Sequence, residues 1–143
     1  MNRNVGIVGV EIMGTAMARN LREAGFSVVG YDPVPSAADR LNSLGGQALM
    51  SPRAVVEAAP ITIMSLPKAE ALTAVINGVD GIAQATGIGQ IVIECSTLPL
   101  DIKQAAHDVM QKNGKVLLDC PISGTGAQAV AKDLVILGNR LPN

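Results

Sequence analysis

Glycines at fixed spacing follow the first apolar run, and they form the residue set best suited to ligand chemistry. The segment Gly6-Ile-Val-Gly9-Val-Glu11-Ile-Met-Gly14 lies between a predicted strand and a predicted helix. A turn that receives a diphosphate needs glycine at three places, as G-x-G-x-x-G. The first glycine allows the tight turn, the second lets the backbone approach the phosphate closely, and the third lets the helix pack closely on the strand. Gly9 and Gly14 fill the first and third places, and Glu11 stands at the second. The pattern predicts a dinucleotide-binding turn with one defect.

Asp32 supplies a second signal, because it ends the second predicted strand, downstream of the glycine turn. A carboxylate there can accept hydrogen bonds from the adenosine ribose hydroxyls and would repel a 2′-phosphate. The sequence therefore favours NAD as the cofactor over NADP. The alternative is that Asp32 is only a turn residue before Pro33.

Glu11 places a carboxylate where phosphate oxygens should approach the turn. At about 5 Å, each pair of like charges costs about 0.8 kcal/mol in water and about 3 kcal/mol at an effective dielectric near 20. A left-handed backbone at this position would add about 1–2 kcal/mol. Together these predict cofactor binding weakened by about tenfold to several thousandfold. The alternative is that Glu11 turns into solvent and binding survives in a weaker form.

Apolar runs of strand length alternate with stretches of helical period along the chain. We predict strands at 5–8, 26–31, 47–49, 61–65, 91–94, 116–119 and 134–137, and helices at 13–24, 36–44, 52–58, 69–76, 99–112 and 127–131. Ser36 is the predicted N-cap of the second helix, and Pro99 the first residue of the fifth.

This alternation implies right-handed crossovers and a parallel sheet with helices on both faces. The predicted fold class is therefore α/β, a Rossmann-type, doubly wound, mostly parallel sheet in a single domain. We place the domain at 1–137, with a frayed tail at 138–143.

Composition and charge exclude several classes of function. Lys and Arg number 11 against 12 Asp and Glu, a net charge of −1, so neither nucleic acid nor an anionic membrane surface is an expected partner. Phe26 and Tyr31 are the aromatic residues, too few for base-stacking platforms. Cys95 and Cys120, with one histidine, make neither a disulfide framework nor a zinc site, so we predict small buried hydrophobes and no metal. The start of the chain predicts neither a signal peptide nor a membrane span, which makes the cytoplasm the default compartment.

Four stretches of the chain carry a family resemblance. They are Gly6-Ile-Val-Gly9-x-x-x-Met13-Gly14-x-x-Met17-Ala18-x-Asn20-Leu21-x-x-x-Gly25, Ser65-Leu66-Pro67, Glu94-Cys95-Ser96-Thr97 and Asp119-Cys-Pro121-Ile-Ser123-Gly124. In this order they resemble the β-hydroxyacid dehydrogenases, which include 3-hydroxyisobutyrate dehydrogenase and 6-phosphogluconate dehydrogenase. The resemblance implies reversible oxidation of a small β-hydroxy acid by hydride transfer to a nicotinamide cofactor.

The glycine turn and the resemblance together give a set of expected site residues. The expected cofactor-binding residues are Gly9, Val10, Glu11, Ile12, Met13, Gly14, Tyr31, Asp32, Leu66, Pro67, Ser96 and Thr97. For Ser96 the alternative is a loop cap ahead of the Pro99 helix. By the resemblance, Ser123 would hydrogen-bond the substrate, while backbone N–H groups around Gly124 and Thr125 would bind its carboxylate in an anion nest.

The resemblance also identifies what these 143 residues lack. The family's general acid/base is a lysine in a Gly-x-x-x-Lys-x-x-Asn motif on a later helix, and the family carries an all-helical second domain; neither is expected before Asn143. We therefore predict no catalytic residue in this chain and little or no turnover by it. The lysines outside that motif, and the lone histidine, are predicted to be solvated surface groups: Lys103, Lys112, Lys115, Lys132 and His107.

Two functional hypotheses follow. The first is the NAD-binding portion of a β-hydroxyacid dehydrogenase-like oxidoreductase, whose partners are a nicotinamide dinucleotide and a small hydroxy acid. The second is a non-catalytic nucleotide-binding or interaction module from a shortened reading frame, which Glu11 favours. Under the second hypothesis, apolar surface that the family's second domain would cover is expected to drive self-association or contact with a partner.

Overall fold

Six parallel strands form the central sheet, and helices pack on both of its faces. The computed structural model describes residues 3–138 and Leu141. The strands are β1 (Asn4–Val8), β2 (Ser27–Tyr31), β3 (Gln47–Ala48), β4 (Ile61–Met64), β5 (Ile91–Glu94), β6 (Val116–Asp119), β7 (Ile122–Ser123) and β8 (Val135–Ile136). The helices are α1 (Ile12–Glu23), α2 (Pro35–Ser43), α3 (Pro52–Ala58), α4 (Ala69–Asn77), α5 (Leu100–Lys112) and α6 (Gly126–Val130), with a 3₁₀ turn at Ile82–Gln84.

The order of strands in the sheet is β3-β2-β1-β4-β5-β6, and every neighbouring pair is parallel. The chain builds outward from β1 in one direction, then returns past β1 to build in the other. A crevice opens at the carboxyl ends of β1 and β4, where the direction reverses, and ligands of open α/β sheets bind in such crevices. The predicted Rossmann-type, doubly wound fold is confirmed.

Alternating residues of β1 send their side chains into two separate cores. Ile7 packs with Val10, Val28 and Leu41 on the face covered by α1 and α2. Val8 belongs to the larger core on the opposite face, which includes buried residues of α3, α4 and α5. A continuous apolar run in the sequence is therefore explained by a sheet that is covered on both sides.

The main differences from prediction are an additional short strand, β7, the starts of two helices and the pairing of the last strand. The segment predicted as a seventh strand is β8, which pairs antiparallel with β7 in a separate two-stranded sheet. Helix α2 begins at Pro35 with Val34 as its N-cap, so the prediction of Ser36 as the cap was wrong. Proline suits the first helical position because its fixed φ is already helical and the N–H it lacks would have no intrahelical partner. Pro99 is the N-cap of α5 rather than its first residue.

Three basic side chains predicted to lie in solvent are buried instead. Lys103 is 3% exposed, Lys115 is 4% exposed and His107 is 8% exposed. Lys115 Nζ donates to the carbonyl oxygens of Ala85 at 2.9 Å and Asn113 at 3.2 Å, and Lys103 is paired with a carboxylate described below. The prediction failed for the two lysines because Ala85 and Asp119 lie in other segments of the chain, which helical periodicity does not reveal.

The predicted tail is described only in part. Gly138 is exposed, whereas Leu141 is 2% exposed and packs in the larger core. Positions 139, 140, 142 and 143 lie outside the described residues, and the domain boundary at 137 stays a prediction. Within the described part of the chain, no helix has the length and apolar character needed to cross a membrane.

Candidate functional site

The turn from β1 to α1 depends on two glycines that leave no room for a side chain. Gly9 has φ +93°, and a Cβ there would lie 2.0 Å from the Ser65 carbonyl oxygen. A Cβ on Gly14 would lie 1.9 Å from the carbonyl oxygen of Gly9, so α1 could not pack this closely on the turn. These contacts give the two glycines the turn and packing functions that their spacing predicts.

Glu11 is an exposed residue at the N-cap position of α1. Its φ of −91° is not in the left-handed region, so the predicted backbone cost of a non-glycine residue is absent. Its side chain makes no capping hydrogen bond, which leaves the first amides of α1 available to a ligand. The charge of Glu11 is therefore the remaining obstacle to a diphosphate at this helix N-terminus.

Asp32 makes both a local and a long-range contact. Its Oδ1 accepts a hydrogen bond from the Val34 N–H at 2.9 Å, which is the turn function named above as the alternative. Its Oδ2 accepts from the Val10 N–H at 2.8 Å, which ties the end of β2 to the glycine turn. Each carboxylate oxygen keeps a second lone pair, so these bonds leave acceptor capacity for ribose hydroxyls.

Two cavities that share a wall lie at the carboxyl edge of the sheet. The larger, of about 470 Å³, is lined by six expected cofactor residues: Gly9, Glu11, Tyr31, Asp32, Leu66 and Pro67. The smaller, of about 320 Å³, is lined by Glu11, Ile12, Met13, Gly14, Leu66 and Pro67, together with Ser65 and Gly126. The structure thus brings the glycine turn, the end of β2 and the loop after β4 together around two neighbouring cavities.

Several residues of this site were not found from the sequence. Arg40 on α2 donates to the Val10 carbonyl oxygen at 2.8 Å, so the backbone of Val10 is held at its N–H by Asp32 and at its carbonyl by Arg40. Met50, Lys68 and Asp80 line the larger cavity. No local signal marks these residues, because they reach the site from α2 and from loops far along the chain.

Ser96 and Thr97 lie outside the linings of both cavities. Ser96 is 4% exposed, and its Oγ accepts a hydrogen bond from the Leu66 N–H at 2.7 Å. Ser96 therefore links the loop after β5 to the loop after β4, whereas the N-cap of α5 is Pro99.

The expected substrate-binding residues occupy the β7–α6 segment. Ser123 is exposed, and Gly124 has φ +147°. The Thr125 N–H donates to Gln128 Oε1 at 2.8 Å, and the Thr125 side chain accepts from the Gln128 N–H, which completes a capping box on α6. One of the amides expected in the anion nest is thus engaged within the protein. None of these three residues lines the two cavities.

A buried charged cluster lies at the ends of β5 and β6, where Glu94 and Asp119 are partners in register. Lys103 Nζ of α5 contacts Asp119 Oδ1 at 2.5 Å, and both groups are buried. Burial raises the pKa of Glu94 above its ordinary value. Burial, with a smaller contribution from Glu94, raises the pKa of the Cys95 thiol to about 12, so this free cysteine is not a nucleophile at neutral pH.

No group of three or more His, Cys, Asp or Glu side chains in the described residues could hold a metal ion. Cys120 is half-buried and, like Cys95, carries a free thiol.

Comparison with known proteins gives the family of this chain. The sequence profile of the NAD-binding domain of 6-phosphogluconate dehydrogenase matches residues 4–139. L-threonate dehydrogenase of Cupriavidus necator is 30% identical over 96% of this chain and 46% of its own length. NAD-dependent L-serine dehydrogenase of Pseudomonas aeruginosa is 32% identical over 94% of this chain and 45% of its own length.

A solved structure agrees with these relatives. Mycobacterium tuberculosis 3-hydroxyisobutyrate dehydrogenase with L-serine superposes with a TM-score of 0.87 and 29% identity, over 96% of this chain and 46% of that one. The chain spans less than half the length of these relatives. Its fold, its glycine turn and the match over residues 4–139 show that it belongs to the family of NAD-binding domains of the β-hydroxyacid dehydrogenases.

Proposed function

We propose that this chain binds a nicotinamide dinucleotide with the diphosphate on the turn from Gly9 to Gly14. The adenosine ribose would lie at Asp32, and the rest of the cofactor would follow the wall formed by Leu66 and Pro67. The observation that carries this proposal is the shared lining of the two cavities by the turn and by the Leu66–Pro67 wall. The free amides at the start of α1 and the helix dipole favour a negatively charged group there.

NAD is the proposed cofactor in preference to NADP. Asp32 lines the larger cavity with an ionisable carboxylate, and a 2′-phosphate beside it would meet like charge. Arg40 on α2 is one cation near the glycine turn that could offset this charge, as is Lys68 in the cavity lining, but the Arg40 guanidinium donates to the Val10 carbonyl and to Thr15 Oγ1. Its two hydrogen bonds therefore support the preference for NAD.

The proposed reaction of the complete enzyme is hydride transfer between the cofactor and a small β-hydroxy acid. The names of two relatives, an L-threonate dehydrogenase and an L-serine dehydrogenase, support this substrate class. Ser123 and the backbone N–H of Gly124 are the proposed substrate contacts in this chain. We expect little or no turnover by the 143 residues alone, because they contain no Gly-x-x-x-Lys-x-x-Asn motif and general acid/base catalysis contributes about 10²–10⁴-fold.

The experiment that tests the cofactor proposal is calorimetric titration with NAD⁺, NADP⁺ and ADP-ribose. We expect NAD⁺ to bind with a micromolar dissociation constant and NADP⁺ to bind about tenfold more weakly or worse. Asp32→Asn should reduce the ratio of the NADP⁺ dissociation constant to the NAD⁺ dissociation constant. Asp39→Asn, a substitution at an exposed position of α2, should leave this ratio unchanged. Failure of NAD⁺ to bind below millimolar concentration would contradict the proposal.

A second candidate function is a non-catalytic nucleotide-binding or interaction module. The observation that favours it is Glu11, an acidic residue that lines both cavities at the N-terminus of α1. Self-association belongs to this candidate, and the exposed apolar residues Val135, Ile136 and Leu137 support it. Self-association without NAD⁺ binding would favour this second function over the first.

A further inference from the structure

Glu94 is a fully buried acidic residue that lines neither cavity, so its presence requires an explanation. Its exposed fraction is 0%, and a carboxyl group is costly to bury without a partner. Oε1 accepts a hydrogen bond from the Ser96 N–H at 2.6 Å. Oε2 has no hydrogen-bond partner among the described residues. Among the described residues, the Ser96 amide is therefore the hydrogen-bond donor that the buried Glu94 carboxyl contacts.

Ser96 carries this contact across to the neighbouring strand. The backbone ladder between β4 and β5 ends where the Cys95 N–H donates to the Met64 carbonyl oxygen at 2.8 Å. Beyond that point the Leu66 N–H donates to Ser96 Oγ at 2.7 Å. A side-chain oxygen thus adds one more connection between the two strand ends, after the main-chain ladder has ended.

Leu66 is the point at which this chain of hydrogen bonds meets the ligand space. It lines both cavities, and a Cβ built on Gly9 would lie 3.3 Å from its side chain. A shift of Leu66 would therefore change the wall that the cavities share and the packing of the glycine turn. Glu94, Ser96 and Leu66 form a relay from the interior of the protein to the site.

We propose that Glu94 is a positioning residue, which fixes the Leu66 wall of the dinucleotide site through Ser96. This inference rests on the proposed function, since it concerns the same site. The role requires an acceptor oxygen at Oε1 and does not require a negative charge. It therefore predicts that the amide of glutamine can replace the carboxyl of Glu94.

The test compares Glu94→Gln, which keeps the acceptor, with Glu94→Met, which removes it at similar size. Two quantities are measured: the hydrogen-exchange rate of the Leu66 amide without cofactor, and the dissociation constant for NAD⁺. Glu94→Met should raise both by about tenfold, the effect of losing one buried hydrogen bond, while Glu94→Gln keeps both within about twofold of the unmodified chain. Ser96→Ala should raise the Leu66 exchange rate and the NAD⁺ dissociation constant as Glu94→Met does. Ser96→Thr keeps a hydroxyl, so both quantities should stay close to those of the unmodified chain.

The amide of Val92 in the centre of β5 serves as the control for global unfolding. If Glu94→Met accelerates exchange at Val92 and Leu66 equally, or changes neither Leu66 exchange nor NAD⁺ affinity, the positioning role is overturned. If Glu94→Met does not fold, the two Ser96 variants provide the test. The positioning role is overturned if Ser96→Ala and Ser96→Thr have the same Leu66 exchange rate and the same NAD⁺ dissociation constant. Failure of the proposed function can be distinguished from failure of this inference. Hydrogen exchange at the Leu66 amide is measured without cofactor, so it tests the contacts of Glu94, Ser96 and Leu66 even if the unmodified chain does not bind NAD⁺.

Discussion

At the scale of single residues, Glu11 is the side chain that most affects the proposed cofactor site. The observed φ of −91° removes the backbone cost, so electrostatic repulsion remains. At about 5 Å from a phosphate charge, the carboxylate costs about 0.8 kcal/mol in water and about 3 kcal/mol at an effective dielectric near 20.

We therefore expect Glu11→Gly to bind NAD⁺ about fourfold to about 150-fold more tightly than the unmodified chain. Glu11→Gln removes the charge without changing backbone freedom, so it should show most of the increase in NAD⁺ affinity expected for Glu11→Gly. Calorimetric titration at two salt concentrations provides the measurement, and the gain should shrink at high salt because the repulsion is screened. Unchanged affinity in both variants would show that the carboxylate stays clear of the diphosphate.

Glu94 links burial of a single group to the pH dependence of folding. Burial raises the pKa of Glu94 in the folded state above the ordinary value of 4.5. The folded protein therefore holds this proton more tightly than the unfolded chain, and the stabilisation that results is lost as pH rises through the folded pKa.

We expect Glu94→Gln to gain stability relative to the unmodified chain as pH rises from 4.5 towards 8, because glutamine does not ionise. Denaturant unfolding at several pH values measures the difference in the free energy of unfolding. A difference that stays constant over this range, or that shrinks with rising pH, would contradict the assignment.

At the scale of elements, helix α5 is attached to the sheet by an ion pair as well as by apolar packing. Lys103 is on the buried side of α5 and pairs with Asp119 at the end of β6. Removing one partner of a buried pair leaves the other as an uncompensated charge, which is strongly destabilising.

Lys103→Ala is expected to lower the free energy of unfolding by about 3–5 kcal/mol. Lys112→Ala on the exposed side of the same helix should change it by no more than about 0.5 kcal/mol. Chemical denaturation of the two variants measures both values. Equal, small effects would mean that the pair is solvated in solution.

At the scale of the whole molecule, apolar side chains remain in solvent on the small β7–β8 sheet. Ile136 and Leu137 are both 57% exposed, and β8 presents an edge that other strands could join. Burial of one such side chain between two copies is worth about 1.5–3 kcal/mol.

We expect the chain to self-associate in a concentration-dependent manner, and Ile136→Lys to raise the dissociation constant by about tenfold or more. Val79→Lys is the matched control, since Val79 is 92% exposed but lies far along the chain from β8, after α4. Sedimentation equilibrium measures the dissociation constant for self-association of each variant. A chain that stays monomeric at every concentration, or equal effects of the two variants, would contradict this prediction.

The amino-acid sequence alone determined the alternation of strands and helices up to β6, the doubly wound sheet, the glycine turn and the place of Asp32. These follow from short-range patterns, because strand and helix periods and the steric freedom of Gly9 and Gly14 are properties of neighbouring residues. The apolar run of each central strand likewise requires cover on both faces.

Only the tertiary structure decided which polar side chains enter the interior. Lys103, His107 and Lys115 are buried, Ser96 bonds to Leu66, and β8 pairs antiparallel with β7 rather than extending the main sheet. The physical reason for Lys103, Lys115, Ser96 and β8 is that each of them depends on a partner from another segment of the chain, namely Asp119, Ala85, Leu66 and β7. Local periodicity places a residue on a face of its element, but it does not tell which charge or amide will lie opposite that face.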